Sequence, residues 1–220
     1  MKEITVDKPL SSEESENEVS IDYLHLIYLL YRHPSQAFRI VNSEKTVHGI
    51  VFFVVFVFIL TFFYSLYIYY FSGIFYYDLS PISIITVIFD GIRNGLVIVI
   101  KYLLLFGIGA VFLLFLLWII QSKIPVIQSL SVIFYSCAIA YPFTLLRYFI
   151  YIPSEYSLLS YGLFYLYLLP LAFLEYIGLK DLLKTKHHLI LIGVLITIVI
   201  QYLIFEPVYL FISGILNVIF

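Results

Sequence analysis

Five long apolar runs dominate this sequence. Tyr102–Ser122, Ile124–Leu146 and Tyr156–Leu174 contain no Asp, Glu, Lys, Arg or His. Between Thr46 and Tyr77 the only charged or imidazole side chain is His48, and Leu189–Phe211 holds only Glu206. A helix needs about 20 apolar residues to cross a hydrocarbon core about 30 Å thick. Backbone in lipid must satisfy its own hydrogen bonds, which a helix does within one segment. The expected fold is therefore an all-α, polytopic membrane helical bundle with five transmembrane helices, the first placed near Ile50–Phe71. Ser80–Gly95 is apolar but carries Asp90, Arg93 and Asn94. It is expected either to lie along the interface or to extend the second span towards its N-terminus.

Composition agrees with this reading. The 220 residues are 63% hydrophobic and only 12% charged, with a mean hydropathy of +1.05, whereas charged residues make up about 25% of a soluble domain. A single Cys rules out an internal disulfide and any thiolate cluster. The net charge is −2 and the basic residues are scattered, so no face suits nucleic acid. No secretory signal peptide is expected, because the first 45 residues begin polar and acidic and the first long apolar run starts only near Val47. Residues 1–20 read as a disordered acidic tail. Residues 21–45 read as cytoplasmic or interfacial amphipathic helices, one ending before Pro34 and one over Ser35–Asn42. Residues 46–220 form the five-span membrane domain.

Near the span ends, seven basic residues fall on one side of a five-span chain: Arg32, Arg39, Lys45, Lys123, Lys180, Lys184 and Lys186. Only Arg93, Lys101 and Arg147 fall on the other. This bias predicts a cytoplasmic N-terminus and an extracellular or lumenal C-terminus, in a cell membrane. Tyr64, Tyr67, Tyr69 and Tyr70, together with Tyr148, Tyr151, Tyr156 and Tyr161, then form an aromatic rim on the outer side.

Polar residues at membrane depth are the candidate sites. Glu206, Gln201, Gln128 and Tyr141 form a candidate polar or transport site if they converge. Asp90 with Arg93, and Arg147 with Glu155, are candidate ion pairs. Gly91, Gly95, Gly107 and Gly109 permit close helix approach and are candidate helix-association positions. Pro142, Pro170 and Pro207 each remove a backbone donor and predict kinks. Cys137 reads as a small packing residue. Phe112, Leu116, Ile133, Ala138, Leu166 and Leu195 are expected in the core. No H-E-x-x-H, G-x-S-x-G or P-loop pattern occurs, so no enzymatic activity, metal or cofactor is expected. Adjacent His187 and His188 cannot share a helix face as ligands.

Two segments resemble the Yip1-domain superfamily of small five-span membrane proteins. His33-Pro34-Ser35-Gln36-Ala37-Phe38-Arg39-Ile40 is similar to its pre-membrane pattern, and Tyr135-Ser136-Cys137-Ala138-Ile139-Ala140-Tyr141-Pro142 to the small-residue, Tyr-Pro segment of its third span. The resemblance covers about Tyr31 to Ser213. It implies a noncatalytic membrane scaffold or trafficking factor, and a small GTPase partner by that resemblance alone. Independently, the glycines point to a homo-oligomer or to other membrane proteins as partners, besides membrane lipids. The competing reading is a small transporter or lipid-handling protein.

Overall fold

The computed structural model describes residues 22–43, 48–76, 84–121, 123–149, 168–183 and 186–219. These residues form seven helices: α1 (Tyr23–Arg32), α2 (Pro34–Val41), α3 (His48–Tyr76), α4 (Ile84–Ile120), α5 (Val126–Phe149), α6 (Leu168–Leu182) and α7 (His187–Ile219). The fold is all-α among the described residues. Three helices are long and apolar enough to cross a membrane, over His48–Ile68, Thr86–Ile120 and Val126–Leu145. α7 adds a shorter apolar stretch, His187–Gln201. Most of the fourth expected span, and the acidic tail, lie outside the described residues.

The two short helices start and stop where local chemistry directs. The Asp22 carboxylate accepts from the backbone N–H groups of Leu24 and His25 at 3.0 and 3.2 Å, capping α1. Pro34 ends α1 and opens α2, since its missing N–H is harmless at the first helical position. The hairpin so formed is docked onto the bundle. Leu26, Leu29 and Leu30 of α1 are buried, as are Ala37, Phe38 and Val41 of α2. The Tyr31 hydroxyl donates to the Ile139 carbonyl of α5 at 3.2 Å. Burial holds that phenol above its ordinary range, so it stays a donor.

α3 to α7 alternate in direction. α3 and α5 run parallel, since Gly49 faces Ser131 at one level and the Thr61 and Tyr141 hydroxyls share a hydrogen bond of 2.7 Å at another. α4 is antiparallel to α3: Gly91 meets Phe62, Gly95 meets Phe58, and Phe106 meets Phe53 edge-on at 5.7 Å. α7 is antiparallel to α4, with Gly109 on Gln201 and Gly193 on Leu113. α5 is the hub, touching α1, α2, α3, α4 and α6. From Ser131 to Tyr141 every residue is buried. Its Ser136, Cys137, Ala138 and Ala140 are small enough for neighbours to close in on all sides.

The core departs from expectation in places. Ile133 and Ala138 are fully buried, but Leu195 is 48% exposed, and Phe112 and Leu116 are only half-buried. Those three look outward or sideways from α4 and α7, because apolarity does not separate a lipid-facing position from a helix-facing one. Leu166 lies outside the described residues. Ser80–Gly95 is settled from Ile84 onward. It belongs to α4, a single helix of 37 residues that runs on past Asp90 and Arg93. α5 continues through Pro142 without interruption.

Candidate functional site

The most unusual side chain is one the sequence analysis passed over. Glu175 is 1% exposed, and neither carboxyl oxygen has a hydrogen-bond partner among the described residues. It lies on α6 in a stripe with Leu171, Leu174, Gly178 and Leu179, all buried. This i, i+3, i+4, i+7 spacing turns it towards the bundle, while Lys180 and Asp181 point outward. α6 packs on α5 through Gly178, whose missing side chain admits Val132 and the Phe38 ring. One turn along the seam, Glu175 comes within electrostatic reach of Cys137. Pro142 lacks the N–H that would bond the Ala138 carbonyl, so the α5 backbone next to Cys137 also loses a regular donor.

The α1–α2 hairpin brackets this seam. Phe38 of α2 is fixed against Gly178, one turn from Glu175, and Tyr31 of α1 is hydrogen-bonded to Ile139 of α5. A carboxylate taken out of water without a counter-charge costs several kcal/mol. The neutral acid is the form such a place accommodates. The signal was present in the sequence as a lone Glu inside the buried stripe of an apolar segment.

Of the four polar candidates, the three whose side chains are described, Gln201, Tyr141 and Gln128, are placed as follows. Gln201 is buried, with both amide atoms unpartnered among the described residues, and its side chain occupies the space a Gly109 side chain would need. Tyr141 sits elsewhere, bonded to Thr61 on α3 and edge-on to Tyr102 of α4 at 5.1 Å. Gln128 is half-buried in the first turn of α5, 13 positions before Tyr141 and so about 20 Å away along the axis. Glu206 lies on α7, but its side chain is outside the described set.

Of the two ion pairs, Arg93 and Asp90 lie 3.8 Å apart on consecutive turns of α4, with side chains 51% and 30% exposed. Such a pair contributes about 0–1 kcal/mol. The Arg147 side chain and Glu155 lie outside the described residues. The glycines divide. Gly91, Gly95 and Gly109 are used inside the chain, against α3 and α7, whereas a side chain at Gly107 would meet nothing within 4 Å among the described residues. Gly107 floors an open apolar groove along α4 between Leu103, Leu104, Ile108, Val111 and Phe115. Gly49 is a close approach the sequence analysis missed, pressed on the Ser131 backbone.

Comparison with known protein families, curated proteins and solved structures finds no match. The membrane-bundle architecture therefore rests on the structure, and the family resemblance rests on its two short motifs. Among the described residues no group of three or more His, Cys, Asp or Glu side chains is placed to hold a metal ion.

Proposed function

We propose that this chain is a noncatalytic integral membrane scaffold or adaptor that associates through the outer face of α4 with a membrane helix of a partner protein or of a second copy. The observation that carries this reading is Gly107. It is open, floors an apolar groove on a membrane-length helix, and allows the close backbone approach on which helix pairing in lipid depends. The two motifs that resemble the Yip1-domain superfamily support the same class of role, and extend it to a small GTPase by analogy only. Five spans, with a cytoplasmic N-terminus, complete the proposal on the charge bias around the spans. Filling the groove tests it. Gly107→Leu has no neighbour to displace among the described residues, so the bundle should fold. Native mass spectrometry of nanodisc complexes from the source membrane should then show a defined stoichiometry lost in the variant; unchanged stoichiometry overturns the reading.

A second reading, a small transporter or lipid-handling protein, is favoured by the buried, unpartnered Glu175 and Gln201. Glu206→Gln or Glu175→Gln should then impair solute or lipid flux in reconstituted vesicles while leaving complexes intact. Unchanged flux in both counts against it.

A further inference from the structure

We propose that Glu175 is a proton-binding site gated by the α1–α2 hairpin: the carboxyl holds a proton while the hairpin is docked on the α5–α6 seam and gives it up when the hairpin lifts. This inference does not rest on the scaffold reading and concerns a different face of the molecule.

α6, which carries the carboxyl, packs against α5, α2 and α7. On α5 the group within electrostatic reach of the carboxyl is the Cys137 thiol, while the Ser136 hydroxyl is given to the Val132 carbonyl at 2.8 Å. On α2 the inward residues are Ala37, Phe38 and Val41, while Arg39 is exposed. On α1 the buried residues are Leu26, Leu29 and Leu30, with the Tyr31 hydroxyl already given to Ile139. Arg32 is held at the surface by the Tyr28 hydroxyl at 3.0 Å, and His25 and His33 are exposed. On α7 the buried residues are Ile190, Val194 and Ile198, with Thr197 donating to the Gly193 carbonyl. On α6 itself, Lys180 and Asp181 point away. No described cation reaches the carboxyl. A hard metal ion takes six or more oxygen ligands, which these neighbours do not supply. A proton is the one ligand that neutralises the group without needing room.

The same geometry makes the hairpin the gate. α1 and α2 are 10 and 8 residues long, below the length at which isolated helices hold together in water, so they depend on the docked face. Ionised Glu175 needs water, and lifting the hairpin is the shortest way to admit it. Proton release and undocking are then linked, and the undocked population grows as pH rises.

Cys137, the sole cysteine, is wholly buried in this seam and reports its opening. In nanodiscs, maleimide labelling of the full chain is followed from about pH 5 to about pH 9, a range spanning carboxyl and imidazole titration. Glu175→Gln, which mimics the neutral acid, is the comparison. Thiol ionisation raises labelling in both proteins, and an ionised Glu175 beside Cys137 can only hold it back in wild type, so it cannot produce a rise in their ratio. The ratio of wild type to Glu175→Gln should climb by about tenfold per pH unit where the carboxyl loses its proton; a flat ratio overturns the proposal. Hydrogen exchange of the α1 and α2 amides in wild type, corrected for intrinsic rates, needs no variant. Protection should fall with rising pH, and constant protection also overturns it. Gly107→Leu should leave both readouts unchanged, so failure here is separable from failure of the scaffold reading.

Discussion

A glycine that lets two helices touch has no tolerant substitute, and Gly178 is the sharpest case in this bundle. A methyl there would run into Val132 of α5 and come to 3.0 Å from the Phe38 ring of α2. One of the two helices would have to move away. Gly178→Ala should therefore cost about 1–3 kcal/mol, read as a lower thermal unfolding midpoint in detergent and faster exchange of the α2 amides. Gly107→Ala, on an open face, should leave that midpoint unchanged. Small residues were legible in the sequence as permissive positions, but their partners were not. Gly91 and Gly95 face α3 and Gly109 faces α7, so the spacing that suggested association with another chain is largely spent within this one. Glu175 was hidden for a related reason. It stands one position past an uncharged run, and counting ionisable residues to mark span ends assigns such a residue to the boundary. Its helical phase, level with Leu171, Leu174 and Leu179, is what puts it inside.

At the scale of elements, α4 carries the largest difference between composition and structure. Asp90, Arg93 and Lys101 break the apolar run, which is why the second span was expected to begin near Tyr102. A helix is not ended by such residues, because their side chains leave the backbone ladder intact and pair or extend outward. At 37 residues, α4 is about 55 Å long, well beyond the roughly 30 Å of a hydrocarbon core. The surplus belongs at the Asp90–Arg93 end, where both side chains are partly exposed. A membrane-impermeant maleimide should therefore label Arg93→Cys promptly and Val111→Cys hardly at all, both in a Cys137→Ala background. Equal protection at the two sites would place the N-terminal third of α4 in lipid instead. The short helices were read closely from sequence, with Pro34 as their joint. Their docking was not readable, because an amphipathic face fits a membrane surface as well as a protein groove.

For the molecule as a whole, the decisive arrangement is that α5 packs at once against α1, α2, α3, α4 and α6. Its burial from Ser131 to Tyr141 follows from small side chains, and some of its polar groups are satisfied locally, as with Ser136 to Val132 and Thr144 to Tyr141 at 2.7 Å. Such a helix transmits any change in bulk to every neighbour at once. Sequence reasoning set Ala138 and Leu195 side by side as core residues, and the structure separates them. Ala138 is fully buried, whereas Leu195 is half exposed on the outer side of α7. Ala138→Leu adds a branched side chain where α5 has no free face, so it should cost about 1–3 kcal/mol or more. Leu195→Ala removes far more surface yet leaves no cavity, since lipid fills the place it vacates, and should change stability by no more than about 0.5 kcal/mol. Unfolding in mixed micelles reads both. If Leu195→Ala were the more damaging, the outward face of α7 would be covered by another helix in the membrane, and the site of assembly would move from α4 to α7.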